Sequence, residues 1–553
     1  MASTADLVPV PRRRCPSCCL CGPNWVTKWL GRRLGKTLSP QAVVGIAVCV
    51  TVCVAVGSFL AFQDAMSSCE DKSEALLITL TVCVYLGIPC LAAIVFAIRR
   101  DPFMANAGGD GGFGTEGLEL SLVFVSIVLP AAGCVALDVA FFLLVGSCFH
   151  RNRHFTLSLP GYGNSLAFHV GRLVFVVAQA AMFGWCFRTR SFARQKVYTA
   201  LLFTVVAMAN LASWFYEIVD RPSVLCTNDN TCWDVAAPKA NECPINANVT
   251  VFTVEQCIFV KFQLYCQPLV ATFALLSLPA MYHMWCKARE GVLENTAETR
   301  PEQSNVSDRR RGAGALGKLF LVTVAVLSVT LWVITHQATT VSSTADYYKV
   351  VLYYSFKVLY FSLFIISTLA GCVRTRAVGQ PEYRTRAADV LVLLLSAVGL
   401  LALAGRVLWG VGSLPPNTLV QQGCTYDITE GDFRKLKAVL IADVVLTLAQ
   451  LILQTTVLVS ATTHKQQEGG VESHYGLLCL FNFCVWINGS FFKAQSTPLT
   501  TCYTTPVQRA AFGYGDWNVF FHLLQPLCVF YWLWSFLLMM PCITLSLSVS
   551  NKN

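Results

Sequence analysis

Four apolar stretches of this sequence carry amides and charges at helical spacing. Asn210, Trp214 and Glu217 stand at i, i+4 and i+7 in one stretch, and Asn482, Trp486 and Gly489 repeat that spacing in another. Each set forms one stripe on a helix. Arg172 and Gln179 stand seven apart in a third stretch, and Asp443 and Gln450 seven apart in a fourth, where Gln454 continues the row. Gln267-Pro268-Leu269 follows the first asparagine stripe, and His522 with Gln525-Pro526-Leu527 follows the second. An amide left unpaired in hydrocarbon costs several kcal/mol, so these groups need partners or water inside a bundle. A proline frees a backbone carbonyl one turn back, which can line a cavity. The chemistry this set suits is proton transfer. Glu217 and His522 are the titratable groups, while Gln179, Asn210, Gln450 and Asn482 order water, because amides do not carry the proton themselves. The same side chains also suit plain helix-to-helix hydrogen bonding, with Glu217 reaching back to the outer surface.

Other charges lie in apolar stretches: Asp138, His169, Lys261, His336, Lys357 and Arg406, several of them close enough to a span end to reach water. Arg172 and Asp443 occupy matching positions, and an unpaired charge at the bilayer centre costs about 2.5–3.5 kcal/mol on insertion scales. A structural ion pair locking two halves together and a role in conduction are both open for them. His150 and His154, spaced i and i+4, are candidates for sensing acid or binding Zn²⁺ if that segment is helical; solvated loop histidines are the ordinary alternative. The run 312–318 has the glycines and lysine of a P-loop, but Leu319 stands where a hydroxyl would hold Mg²⁺ and no strand precedes it. Cys15, Cys18, Cys19 and Cys21 lack a second ligand pair at finger spacing, so palmitoylation beside Arg12, Arg13 and Arg14 fits them better. Nothing resembles a nucleophile elbow, a zincin helix or a nucleotide fold, so no enzyme and no cofactor is expected.

The elements that must position these groups are membrane helices. Of the 553 residues 55% are hydrophobic and only 13% charged, too apolar for a soluble chain of this size. Runs of about 20 apolar residues give about twelve spans, near 41–63, 76–98, 120–146, 164–187, 197–219 and 256–285, then 319–341, 348–373, 389–411, 436–461, 474–492 and 517–545. The expected fold is an all-α polytopic membrane protein, its twelve transmembrane helices arranged as two parallel six-helix repeats. The expected divisions are a Cys/Arg-rich cytosolic segment at 1–40, a first six-helix half at 41–286, a cytosolic linker at 287–318, a second half at 319–545 and a cytosolic tail at 546–553.

The loops set the orientation. No apolar core of a cleavable signal precedes the first span, so the amino terminus is expected in the cytosol. The loops on that side then hold Arg99 and Arg100, Arg188 to Lys196, Lys287 with Arg309 to Arg311, and Arg374 to Arg386. That is the positive-inside pattern, and it explains the net charge of +10 without a nucleic-acid partner. One loop, 148–163, is expected outside yet carries Arg151 and Arg153. Asn248-Val-Thr falls in the long outer loop as a glycosylation site, and Cys226, Cys232, Cys243 and Cys257 are placed where disulfides can form.

The Asn-x-x-x-Trp stripes, Gln179, Gln450, Gln454 and the run from Phe512-Gly-Tyr-Gly-Asp-Trp517 through Pro526 to Ser535 resemble the otopetrins. The resemblance implies a proton-selective channel at the cell membrane that carries H⁺ down its gradient. It further implies a twelve-helix homodimer with cytosolic termini, and a response to external acid with block by Zn²⁺ in several members. A membrane lipid or sterol is a candidate partner. The family's cluster of Gln, Asn or Asp, and Tyr between the halves corresponds to Gln179, Asn210 and Tyr216. In the second half Gln450 or Gln454 and Asn482 match, with Tyr531 one candidate for the tyrosine. The chain departs from the family at Trp532 and Trp534, where many members have Arg and His, and at Thr272, where the vertebrate pattern has an acid. The rival reading is a proton-coupled secondary transporter with six-plus-six repeats, although residues 99–104 lack the Gly-x-x-x-Asp-Arg pattern of that superfamily.

Overall fold

The computed structural model describes residues 72–100, 102–104, 115–151, 162–189, 191–193, 197–219, 266, 268–282, 284–285, 322, 324–334, 347–376, 387–413, 430–463, 472–492 and 524–539. In chain order the helices are α1 (Lys72–Arg100), α2 (Thr115–Arg151), α3 (Tyr162–Thr189), α4 (Val197–Val219), α5 (Pro268–Tyr282), α6 (Val324–Ile334), α7 (Tyr347–Arg376), α8 (Ala387–Ser413), α9 (Glu430–Thr463), α10 (Glu472–Ile487) and α11 (Leu524–Met539). Seven of these, α1 to α4 and α7 to α9, are long and apolar enough to cross a membrane. The first expected span, 41–63, and the segments 1–40, 287–318 and 546–553 lie outside the described residues.

The all-helical expectation needs one small correction. Strands β1 (Pro102–Met104) and β2 (Ser191–Ala193) pair antiparallel, with Phe103 opposite Phe192. They follow α1 and α3, so the ribbon ties together two loops that charge alone assigned to the same side. Arg99 lies 5.6 Å from the ring of Trp185 at this end, a cation–π contact that spares the guanidinium a bare apolar wall.

Two groups of helices repeat one packing scheme. In the first, α1 lies against α3 and α4, and α2 against α3; in the second, α7 lies against α9 and α10, and α8 against α9. The Gln-Pro-Leu motifs end in matching contacts. A Cβ built on Gly133 of α2 would stand 2.5 Å from Leu269 Cδ1 of α5, and one built on Gly399 of α8 would stand 2.6 Å from Leu527 Cβ of α11. Only glycine leaves room for the leucine at either place. Large apolar side chains such as Phe96, Leu143, Ile366, Leu395 and Ile452 remain exposed on the helices, as an apolar solvent requires. The interior of the second group is aromatic: Phe364 stacks on Phe481 at 4.5 Å, and Tyr360 meets Phe481 edge-on at 5.0 Å.

Prolines inside α1 and α2, Pro89 and Pro130, do not end those helices. A helix surrounded by apolar contacts has no competing water for the freed carbonyl, so the interruption is tolerated. At its far end α10 loosens into a π turn, Asn488–Phe492. Gly489 in that turn has a Val529 methyl 3.4 Å from where its Cβ would be, so α11 approaches closely where the first stripe has Glu217.

Candidate functional site

The first group of helices encloses a charged cluster that is wholly shut off from solvent. Asp138 of α2 and Arg172 of α3 are each 0% exposed, and His169 of α3 is 4% exposed. Arg172 Nε donates to Asp138 Oδ1 at 3.0 Å and Oδ2 at 3.3 Å, while Nη2 donates to Oδ1 at 2.5 Å. His169 Nδ1 lies 2.7 Å from the same Oδ1 and 3.1 Å from Arg172 Nη2. Removing either charge of a buried pair strands the other, so the cluster holds together as a unit. Aromatic rings close it off: Phe141 stacks on the imidazole at 3.9 Å, Tyr216 meets it edge-on at 5.8 Å, and the Arg172 guanidinium sits 5.2 Å from the Phe168 ring. Phe168 stacks on Tyr216 at 3.4 Å, and the Tyr216 hydroxyl donates to Ser165 Oγ at 2.8 Å.

Two turns further along α3 the chemistry changes from charge to amide. Gln179 is fully buried and its Nε2 faces Met281 Sδ at 3.8 Å. Asn210 of α4, equally buried, donates through Nδ2 to its own Val206 carbonyl at 2.9 Å. Gln179 Oε1, Asn210 Oδ1, Trp214 Nε1 and Ser277 Oγ have no protein hydrogen-bond partner. Buried polar atoms of this kind are rare and call for water.

The second group answers with a closed chain. Gln450 Nε2 donates to Thr368 Oγ1 at 2.9 Å and to Gln454 Oε1 at 3.0 Å, Gln454 Nε2 donates to Asn482 Oδ1 at 2.7 Å, and Asn482 Nδ2 donates to the Leu478 carbonyl at 2.6 Å. The Tyr531 hydroxyl of α11 meets Thr455 Oγ1 at 2.9 Å, one residue from Gln454. At the level of Arg172 the second group has Asp443, paired with Lys357 Nζ of α7 at 2.5 Å. Each group therefore neutralises its own charge: the pairs run within a group, α3 to α2 and α9 to α7, and do not lock one half to the other.

A sequence model of the family described as Otopetrin matches residues 224–532, more than half of the chain. The chain belongs to the otopetrin family. Comparison with curated proteins returned no significant match. The matched stretch runs from before α5 into α11, so the charged cluster of this otopetrin lies ahead of it. With seven helices able to cross a membrane, the protein is a multi-pass membrane protein.

Among the residues singled out in the sequence, the structure joins Gln450, Gln454 and Asn482 and brings Tyr531 beside them. It separates Tyr216 from Gln179 and Asn210 in hydrogen bonding: the tyrosine hydroxyl goes to Ser165, and its ring lies against the charged cluster. Glu217 lies on α4 and His150 on α2, their side chains outside the described residues, as are His154, His522, Asn248, Cys226, Cys232, Cys243 and Cys257 entirely. Gln525 lies in the first turn of α11, half-buried. Trp534 donates Nε1 to the Asp389 carbonyl at 3.1 Å, and Trp532 packs 6.0 Å from Phe361 and Phe364. Both indoles are held by packing and one backbone hydrogen bond. Sequence reading named Asp138, His169 and Arg172 separately and missed their union; the i, i+3 spacing of His169 and Arg172 was the available signal. It also left Lys357 and Asp443 unpaired.

Proposed function

We propose that this otopetrin is a proton-selective channel that carries H⁺ down its gradient, with external acid as the opening stimulus. The observation that carries the reading, beside the family, is a set of buried atoms without a protein partner on α3, α4 and α5: Gln179 Oε1, Asn210 Oδ1 and Ser277 Oγ. Three such atoms on α3, α4 and α5 are the place for a water file, and a water file passes protons between titratable groups. Glu217 lies seven residues along α4 from Asn210 and is the relay toward the outer side; His522 is the counterpart proposed for the second half. Gln179, Asn210, Gln450 and Asn482 order water or neighbouring amides, Gln454 and Tyr531 set the positions of the second pair, Gln525 is a further amide proposed for that half, and Tyr216 borders the charged cluster.

The whole is read as a homodimer at the cell membrane with both termini cytosolic, each subunit built from twelve helices as two parallel six-helix halves. The repeated pairing of helices and the matched Gly133–Leu269 and Gly399–Leu527 contacts support that duplication. His150 and His154 remain the proposed acid or Zn²⁺ sensor, Asn248 the glycosylation site, and Cys226, Cys232, Cys243 and Cys257 the disulfide candidates.

The test is electrical. Cells expressing the chain are clamped with protons as the only permeant cation while external acid is applied and cytosolic pH is followed. A current that reverses with the proton gradient is expected, and Glu217→Gln should reduce it with the protein still at the surface. A flux that demands a co-solute would establish the transporter instead.

A further inference from the structure

The two halves differ most at one level of the bundle. Aligned through Arg172 and Asp443, His169 corresponds to Leu440; aligned through Gly133 and Gly399, Asp138 corresponds to Ala404; aligned through the two asparagine stripes, Tyr216 corresponds to Asn488. The second half therefore holds a fixed Lys357–Asp443 pair where the first half holds an imidazole between an acid and a guanidinium. The first-half residues of this level lie outside the stretch that the family model matches, and their second-half counterparts lie inside it.

The contacts at His169 pull one ring nitrogen two ways, and which of them bonds depends on whether Nδ1 carries a hydrogen. Nδ1 lies within bonding distance of Asp138 Oδ1, which as a carboxylate only accepts, and of Arg172 Nη2, which only donates. One ring nitrogen cannot satisfy both at once. With Nδ1 bare, it accepts from Arg172 and is repelled by the carboxylate. With a proton on Nδ1, it donates to Asp138 and faces the guanidinium as a competitor for Oδ1. Adding that proton to a ring already carrying hydrogen at Nε2 takes the cluster from net neutral to +1, and losing it restores the Arg172 bond.

We propose that His169 is an intramembrane proton-binding site of the first half, its Nδ1 exchanging partners between Arg172 and Asp138 as the proton arrives and leaves. The inference rests on the proton-channel reading and names a binding group within it. Among the described residues, the titratable and charged groups that face the ring include Asp138 from α2, Arg172 on α3 itself, and Tyr216 from α4; from α1, Tyr85 donates its hydroxyl to the Ala167 carbonyl at 3.0 Å, beside the same turn. The partner exchange has a path outward. Phe141 and Tyr216 touch the imidazole, and Tyr216 is stacked on Phe168 and held by Ser165, so a turn of the ring bears on a side chain of the α4 helix that also carries Asn210, Trp214 and Glu217. Among the described residues the second half, with Leu440 at this position, has no equivalent group.

Two measurements on the full chain test this. Purified protein with isotope-labelled histidine is examined by infrared difference spectroscopy between about pH 7.5 and about pH 5, the range in which histidine titrates. One imidazolium band is expected to vanish in His169→Gln and to shift in Asp138→Asn; a spectrum unchanged in both variants overturns the inference. In clamped cells, His169→Gln present at the surface should lower the proton current by about tenfold or more, the scale of losing a positioned acid–base group. A wild-type current that His169→Gln leaves intact, with the same dependence on external pH, rejects His169 while keeping the channel. A silent wild type that still shows the His169 band rejects the channel reading instead. If His169→Gln fails to reach the surface, the Asp138→Asn band shift decides alone.

Discussion

Gln454 donates to Asn482 across 2.7 Å and so joins α9 to α10 at the middle of the second helix group. Its counterpart position in the first group, aligned through Arg172 and Asp443, is Phe183. The bridge is therefore missing in the first group, where Asn210 Oδ1, the counterpart of Asn482 Oδ1, has no protein partner.

The bridge itself can be weighed. A double-mutant cycle of Gln454→Ala and Asn482→Ala, read by reversible unfolding in bicelles, should return a coupling of about 0.6 kcal/mol and at most about 1.7 kcal/mol, the range for polar contacts between membrane helices. A coupling near zero would mean that the two amides find other partners when separated.

Phe183→Gln should rebuild the bridge in the first group. The new amide would stand one turn from Gln179, displace water from between α3 and α4, and lower the proton current while raising thermal stability. An unaltered current with confirmed surface expression would argue that protons do not pass this level.

The glycine seats for the Gln-Pro-Leu leucines make a symmetrical prediction. Gly133→Ala and Gly399→Ala should each destabilise the fold by about 1–3 kcal/mol, the cost of overpacking a filled site. Leu269→Ala should relieve the first substitution but not the second, and Leu527→Ala the reverse. Chromatographic monodispersity after heating reads all four combinations, and rescue across the halves would contradict the packing described.

Lys357 and Asp443 form the buried pair of the second half. Lys357→Met or Asp443→Asn alone should destabilise by about 3–5 kcal/mol, because each leaves or exposes an uncompensated partner. The double variant should recover most of the loss, since replacing both charges is often neutral. Equal stability of the two single variants and wild type would show that the pair is solvated.

How much of this was legible in the sequence depends on the distance over which each signal acts. Apolar runs gave helix positions well, because a span is a local property: the helices α1, α3 and α4 begin and end within a few residues of the expected ranges. The Gln450, Gln454 and Asn482 cluster was also legible, since two of its members share one face of α9. Partner choice was not. Arg172 and Asp443 looked equivalent, yet one finds its counter-charge on the helix before it and the other two spans earlier, and no periodicity within a single helix encodes that. Tyr216 was grouped with Gln179 and Asn210 through the family resemblance, whereas its ring stacks on Phe168 about three turns away from Gln179, a contact set by helix rotation. The β1 and β2 ribbon escaped notice because three-residue strands lie below any repeat a sequence can display.

The two ion pairs also bear on how the chain is made. Asp138 and Arg172 are 34 residues apart on consecutive helices, so the hairpin of α2 and α3 enters the bilayer already neutral. Lys357 must wait for Asp443, 86 residues later, with a whole helix inserted between them. During synthesis the Asp138–Arg172 pair can close as soon as α3 leaves the ribosome, and the second half passes through an interval with a naked lysine in α7. That interval is where biogenesis of this protein is most exposed to quality control, and slowing translation between α8 and α9 would lengthen it.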